Sequence, residues 1–195
     1  FPADARCDEE NDDMLLGPDL LVAAVVEPGQ RDRRVWLPGT GGWYDWRTGA
    51  HHTGGQWITL AAPLDGPPPL LARAGCAIPL NTAQAGFRRN EDRRGFRVFP
   101  ILGEGSFESA CFEDDGASAG ALSGQHGHWV LRVQGDATRL HIAVDRQGPL
   151  APLQETLTLW LPPAESRQVE LAGGRLQGDL RDADQWRRIE VAFDD

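Results

Sequence analysis

The amino-acid sequence predicts an all-β protein made of two consecutive antiparallel β-sandwich domains. Short apolar or alternating runs recur along most of the chain, separated by turns rich in Gly and Pro, which is the pattern of short strands. Between Leu20 and Leu80 no segment of useful length shows the period of an amphipathic helix. The apolar content of 41% and the charged content of 25% are typical of a globular chain.

The clearest strand signals surround a glycine-rich loop near the N-terminus. Leu20–Val26 is an unbroken apolar run with the length and β-branched content of a fully buried strand, and Pro28-Gly29 ends it. Val35–Leu37 begins a second strand. Pro38–Gly42 is too rich in Gly and Pro to be anything but a loop, and it leads into a Trp-Tyr-Asp-Trp corner at positions 43–46.

Further strands complete the first predicted domain. Gln56–Leu60 alternates polar and apolar residues, as a half-buried strand does, and Pro63 ends it. Pro67–Pro69 is extended because each proline ring fixes φ near −65°. The apolar segment Leu70–Leu80 then closes the domain.

The second predicted domain has turn signals at the spacing of an antiparallel sandwich. Gly95–Pro100 and Gly105–Phe112 alternate, with a Gly-rich turn between them. Five more alternating runs follow: His128–Val133, Arg139–Val144, Glu155–Leu161, Gln168–Leu171 and Arg188–Phe193. Within the third of these we expect Leu157, Leu159 and Leu161 to share one face and to point into the core.

The N-terminal sixteen residues are acidic and end in an apolar triplet, Met14–Leu16. The spacing of Asp12 to Leu15 predicts the end of a short helix, closed by Gly17 in the left-handed conformation. We expect an exposed apolar patch or a mobile terminus here.

Three segments carry a resemblance to a known family. Gly17–Gly49 contains, in order, a buried strand, a Pro-Gly turn, a Leu-Pro-Gly loop and a Trp-Tyr-Asp corner. Leu70–Leu80 contains the motifs Arg-Ala-Gly and Ile-Pro-Leu. Phe96–Gly116 ends in the motif Glu-Asp-Asp-Gly. This order resembles the region after the catalytic barrel in family 31 glycoside hydrolases, the α-glucosidases and α-xylosidases. The match is weaker beyond Gly116, and Phe112 stands where the family usually has a tyrosine.

The resemblance implies a domain organisation. Residues 1–16 would follow the last strand of a (β/α)8 barrel, residues 17–82 would form a proximal β-domain, residues 83–94 a linker, and residues 95–195 a distal β-sandwich. The barrel itself, which this chain lacks, would be the main partner. Retaining hydrolysis needs two carboxyl groups about 5 Å apart, and the family holds both on its barrel.

The resemblance therefore predicts a non-catalytic scaffold region of an α-glycosidase, with no catalytic residue among these 195 and with turnover expected only of the parent protein. The alternative is an independent carbohydrate-binding module that stacks sugars on exposed tryptophans, with Trp43, Trp46, Trp57 or Trp129 as the platform. An oligomerisation module is a third hypothesis. An α-glycoside carbohydrate and a second copy of the chain are thus both open as partners.

Four aromatic residues are the candidate contact residues: Trp43, Tyr44, Trp46 and Trp57. Flat apolar rings with a polar edge serve both sugar stacking and domain interfaces. The resemblance favours packing against the barrel, while a sugar platform and a contact with another chain are the alternatives.

Metal binding has only weak support. Glu113, Asp114 and Asp115 precede Gly116, and clustered carboxylates before a Gly turn suit Ca²⁺. They lack the ligand spacing of an EF-hand, so a turn whose carboxylates accept backbone N–H bonds is the preferred interpretation. The acidic residues at 9–13 are interpreted as a solvated face, and the histidines at 51, 52, 126 and 128 as loop residues. No metal and no cofactor is predicted.

Charge and cysteine content exclude some partners. The formal net charge of −10 argues against nucleic acid, which needs a surplus of Lys and Arg. No segment suggests a membrane span or a signal peptide. The three cysteines are widely spaced, which favours a reducing compartment and thus a cytoplasmic location.

Overall fold

The computed structural model describes residues 1–8, 12–82, 94–150 and 156–193. In this part the chain forms sixteen strands and two short 3-10 turns, Ala5–Asp8 and Ala119–Ser123. The predicted linker lies outside the described residues, apart from Arg94, as do Glu9, Glu10 and Glu155. In the described ranges, no helix has the length and apolar character needed to cross a membrane. The predicted all-β class is confirmed.

The chain divides into two compact units, Phe1–Ala74 and Gly75–Asp195. The first unit has seven strands: β1 (Asp13–Leu16), β2 (Leu20–Ala23), β3 (Asp32–Leu37), β4 (Gly42–Asp45), β5 (His51–Thr53), β6 (Gln56–Ala61) and β7 (Leu70–Arg73). One sheet has the order β1-β2-β7-β4-β5, and β3 pairs with β6 in a second sheet. All of these pairs are antiparallel.

The two sheets of the first unit enclose one apolar core. Its buried members come from both sheets: Leu21, Ala23, Val35, Leu37, Trp43, Leu60 and Leu71. β2 buries only alternate residues, and it ends at Ala23, so Val25 and Val26 are exposed. The run Leu20–Val26, predicted to be a fully buried strand, is therefore a shorter strand with one buried face.

The helix predicted before Gly17 is wrong. Residues Asp13–Leu16 form β1, which pairs in antiparallel register with β2, for instance Met14 with Val22. Gly17 does adopt a left-handed conformation, with φ of 66°, but it sits in the turn of a β-hairpin. A left-handed glycine suits a hairpin turn as well as a helix end, so the glycine signal was ambiguous.

The second unit has nine strands: β8 (Cys76–Asn81), β9 (Arg94–Phe99), β10 (Gly105–Glu113), β11 (Gly127–Gly135), β12 (Arg139–Gln147), β13 (Thr156–Leu161), β14 (Gln168–Ala172), β15 (Arg175–Arg181) and β16 (Arg187–Ala192). They form two sheets, with the orders β10-β11-β12-β14 and β15-β16-β13-β9-β8. Most pairs are antiparallel. The pairs β12–β14 and β13–β9 are parallel, which the sequence did not indicate.

The core of the second unit lies between these two sheets. Leu131, Ile142 and Val144 come from the first sheet, and Phe96 and Val191 from the second. The prediction that Leu157, Leu159 and Leu161 point into the core is confirmed, since all three are fully buried.

Strand β8 belongs to the second unit. Cys76–Asn81 pairs along its length with β9, whereas the sequence analysis placed it at the end of the first domain. Residues 1–16, assigned there to a remnant of a barrel, include β1 of the first sheet. For β8 the apolar pattern gave the strand correctly, while the choice of pairing partner depended on the tertiary structure.

A buried ion pair between Glu165 and Arg167 stabilises the loop between β13 and β14. The Arg167 guanidinium donates to both carboxylate oxygens of Glu165, at 2.9 and 2.6 Å. The same group also donates to the backbone oxygens of Ile101, Gly103 and Asp136. One arginine thus ties together three connections of the second unit.

Candidate functional site

The first two candidate contact residues are buried. Trp43 and Tyr44, both on β4, are only 1% and 2% exposed. The Trp43 indole N–H donates to the Pro38 carbonyl at 3.0 Å, and its ring lies 6.2 Å from that of Phe1. The Tyr44 ring contacts His51 edge-on. Neither ring offers a free face to a sugar, so both act in packing.

Trp46 and Trp57 are half-buried. Trp46 follows β4, and its backbone N–H donates to the Leu70 carbonyl. The Arg34 guanidinium lies 4.4 Å from the centre of the Trp57 ring, a cation–π contact that covers one face of the indole. Trp57 therefore presents a surface that is part aromatic and part cationic.

The structure adds Trp36 to this surface. Trp36 lies directly opposite Trp57 across β3 and β6, with ring centres 5.6 Å apart in an edge-on arrangement. Its indole N–H donates to the Asp4 carboxylate, and Arg6 lies over its ring. The sequence analysis did not single out Trp36, although the alternation of Arg34, Val35 and Trp36 indicates that Trp36 faces outward when Val35 faces inward.

An apolar patch on β1 is the second exposed feature of the first unit. Met14, Leu15 and Leu16, here called the β1 patch, are 57%, 44% and 65% exposed. β1 is also an edge strand, paired only with β2 in the sheet order. An ion pair of 2.8 Å between Asp13 and Arg33, both side chains nearly buried, fixes the start of the strand. The expectation of an exposed apolar patch is confirmed.

The acidic turn of the second unit is structural. Glu113 accepts hydrogen bonds from Arg94 at 2.6 Å and from the Trp129 indole at 2.9 Å. Asp114 accepts from the backbone of Gly116, and Asp115 accepts from two backbone N–H groups and from the Ser118 hydroxyl. This is the turn that the sequence analysis preferred to a Ca²⁺ site. Among the described residues, no group of three or more His, Cys, Asp and Glu side chains is arranged to hold a metal.

The buried carboxylates of the described chain also have structural partners. They are Asp45 and Glu165. Asp45 accepts from the backbone N–H groups of Arg47 and Thr48, and Glu165 is bound by Arg167. Burial alone raises the pKa of Glu165, but the hydrogen bonds and the positive charge of Arg167 bring this pKa below the usual glutamate value. A general acid would need the opposite shift.

Asp19, in the β1–β2 turn, is a carboxyl group whose pKa is raised. Burial raises this pKa, and the positive charge of Arg73 opposes the increase. The charged group that acts on Asp19 is thus a cation, whereas a retaining glycosidase pairs its acid with a second carboxylate. The arrangement of Asp19 is not that of a glycosidase acid.

The fold and these surfaces define a class: a two-unit β-sandwich module whose buried carboxylates serve the fold and whose first unit exposes apolar and aromatic contact surfaces. Comparison with known proteins agrees. The model of the glycosyl hydrolase family 31 C-terminal domain matches residues 1–78. Residues 1–78 are thus similar to the C-terminal domain of glycosyl hydrolase family 31.

Curated relatives are much longer than this chain. α-Glucosidase 2 of Bacillus thermoamyloliquefaciens is 24% identical over 152 residues, which are 78% of this chain and 19% of that protein. Human neutral α-glucosidase C is 34% identical over 122 residues, which are 60% of this chain and 13% of that protein. The chain thus spans less than a fifth of the length of these relatives.

Solved structures share the fold. A family 31 dextranase of Flavobacterium johnsoniae matches 98% of this chain and 26% of its own, with a TM-score of 0.81 at 21% identity. The family 31 α-xylosidase of Xanthomonas citri matches 83% of this chain and 17% of its own, with a TM-score of 0.63 at 27% identity. The similarity therefore includes strands of both units.

Proposed function

We propose that this chain is the C-terminal accessory region of a retaining α-glycosidase, and that it stabilises a catalytic domain that carries the reacting carboxylates. The observation that carries this proposal is the β1 patch, which lies inside the segment that matches the family 31 C-terminal domain. A contact surface within a conserved accessory domain suits a partner domain of the same enzyme.

The β1 patch has the properties of a contact surface. Fully burying a Leu or Met side chain stabilises a complex by about 1.5–3 kcal/mol. Met14 and Leu16 share one face of β1 and are 57% and 65% exposed, so a partner that covers this face gains substantially. The Asp13–Arg33 ion pair and the β2 hairpin hold the patch in one conformation, which lowers the entropic cost of docking. A partner with an apolar face fits it best.

The substrate class follows only from the relatives. Those matched here are named as two α-glucosidases, an α-xylosidase and a dextranase, and we propose α-glucosides or α-xylosides as substrates of the parent enzyme. We also propose a cytoplasmic location, which the wide spacing of the three cysteines supports. A homo-oligomer stays a prediction.

The alternative of an independent sugar-binding module on tryptophans finds less support in the geometry. Trp43 and Trp129 are buried, and Arg34 covers one face of Trp57. Trp43 and Trp129 therefore cannot act as a platform, and Trp57 has at most one face left for a sugar.

Two measurements test the proposal. The purified 195-residue chain is expected to release no p-nitrophenol from p-nitrophenyl α-D-glucopyranoside or α-D-xylopyranoside. The coding sequence upstream of Phe1 is expected to continue in frame into a (β/α)8 domain with paired carboxylates. Turnover by the purified chain that co-elutes with it and disappears on unfolding would overturn the proposal, as would an upstream coding sequence that encodes no such domain.

A further inference from the structure

The second unit carries a groove on the outer face of the sheet β10-β11-β12-β14. Its volume is about 540 Å³, within the range of small-ligand sites. The floor is formed by Ala143 on β12 and Ala172 on β14, which are paired neighbours across the two strands. Two methyl groups among long side chains leave a depression with an apolar base.

Two charge clusters form the walls of this groove. On one side Arg132 lies 2.8 Å from Glu108 and 3.9 Å from Asp145. On the other side Glu170 lies 3.0 Å from His141 and 3.5 Å from Arg139. These ion pairs orient the planar polar groups before any ligand binds, which reduces the entropic cost of binding.

We infer that this groove binds a neutral oligosaccharide. Its walls present cationic donors and anionic acceptors around an apolar floor, which is the complement of a sugar ring with hydroxyl groups at its edge and C–H groups on its face. Of the residues that line the groove, a polyanion would meet Glu108 and Glu170, and a polycation would meet Arg132. The charges of both signs therefore favour an uncharged, hydroxyl-rich ligand.

An extended peptide fits this groove less well. The floor strand β12 is hydrogen-bonded on both sides, to β11 and to β14, so its backbone offers no donors or acceptors for strand addition. A peptide would thus have to bind through side chains alone, whereas a sugar uses the polar groups already in place.

The site differs from the tryptophan platform that the sequence suggested. Of the residues that line the groove, only Phe107 and His141 are aromatic, and Phe107 packs on the core beneath the sheet. Recognition therefore rests on hydrogen bonds and on the alanine floor, and we expect a dissociation constant of about 1 mM. The inference does not depend on the proposed scaffold role, because it concerns a different unit.

The test is a titration of the ¹⁵N-labelled 195-residue chain with maltotriose, isomaltotriose and cellotriose, followed by two-dimensional NMR. Amide shifts are expected at Arg132, Gln134, His141, Ala143 and Glu170 with at least one of these sugars. Ala143→Arg fills the floor and should abolish the shifts. Ala183→Arg, at an exposed turn of the same unit, is the matched control and should retain them.

A milder variant guards against misfolding. Gln134 is exposed, so Gln134→Ala should fold normally and weaken binding about three- to tenfold through the loss of hydrogen bonds. No shift with any of the three sugars at about 20 mM, well above the expected dissociation constant, overturns the inference. Shifts that survive Ala143→Arg overturn it too. Shifts at the same amides that depend on protein concentration alone would assign the face to a second copy of the chain.

Discussion

Glu165 and Arg167 hold the loops at one end of the second unit through a nearly buried ion pair, with side-chain exposures of 6% and 9%. The folded-state pKa of Glu165 is lower than its ordinary value. The pair therefore stabilises the fold fully at pH values above the pKa that Glu165 has in the unfolded chain. This stabilisation is lost as the pH falls through the pKa that Glu165 has in the folded protein. The sequence shows only a Glu and an Arg two residues apart, and the burial that makes the pair important comes from the tertiary structure.

Glu165→Gln should lower the free energy of unfolding of the second unit by about 3 kcal/mol at neutral pH, because buried Arg167 then loses the carboxylate charge that it faces in Glu165. The difference from the unchanged protein should shrink as the pH falls to about 3. Urea unfolding followed by tryptophan fluorescence measures both. Glu104→Gln, at an exposed position of the same unit, should change neither value. A loss that is the same at both pH values would contradict the role of the carboxylate charge.

Gly95 is required by the ring of Trp160. A Cβ atom added at Gly95 would lie 2.4 Å from the Trp160 ring and 2.9 Å from the Thr158 carbonyl oxygen. We expect Gly95→Ala to lower the free energy of unfolding by about 1–3 kcal/mol through overpacking, measured by chemical denaturation. Gly178→Ala is the control, since its nearest neighbour would be 4.0 Å away, and it should change stability by less than about 0.5 kcal/mol. Equal effects of the two variants would exclude this explanation.

At single positions, the sequence predicted which aromatic residues are candidates for contacts but not which of them are buried. It identifies Trp43, Tyr44 and Trp57 as aromatic residues with a special role, but it does not say which are buried. Burial depends on the facing sheet, and β3 and β6 cover Trp43 while leaving Trp57 on the outer side. The turn at Asp114 and Asp115 was predictable, because Asx-type hydrogen bonds form between residues two or three apart.

Among the strands, those with strict alternation were predictable and those with mixed patterns were not. β13 was identified with its core face, since Leu157, Leu159 and Leu161 recur with period two. β15 was missed because Arg175–Arg181 is largely exposed, contains Gly178 and shifts register against β16. β1 was taken for a helix because four residues are too few to distinguish the helical period of about 3.6 residues from the strand period of about two.

For the exposed edge strand β1, we expect a substitution to have different effects in the 195-residue chain and in a longer protein. Leu16→Asp should change the stability of the 195-residue chain by less than about 0.5 kcal/mol, since Leu16 is 65% exposed. In the proposed longer enzyme the same substitution should lower the melting temperature and the activity together, because a charge would then lie in the proposed contact. Thermal unfolding and kinetic assays of both proteins measure this. Leu122→Asp, at a 92% exposed position, should be neutral in both, and a neutral Leu16→Asp in the parent enzyme would remove the β1 patch from the contact.

The whole molecule consists of two units with separate cores, so unfolding should occur in two calorimetric transitions. Leu21→Ala deletes a buried side chain of the first core and should lower the free energy of unfolding of the first unit by about 2–5 kcal/mol. The midpoint temperature of one transition should fall as a result. Gly95→Ala should lower the other. Differential scanning calorimetry of the two variants and their combination measures this, and a single transition that both substitutions shift would show that the units unfold as one.

The parallel pairing of β9 with β13 also sets the order in which the second unit can form during synthesis. Gly95 pairs with Thr158 only once β13 has been synthesised, and β13 pairs with β16 only once β16 has been synthesised. Contacts so distant in sequence require large loops to close and make folding slow, whereas the β1–β2 hairpin closes locally. The first unit is therefore expected to reach its native form earlier during synthesis than the second.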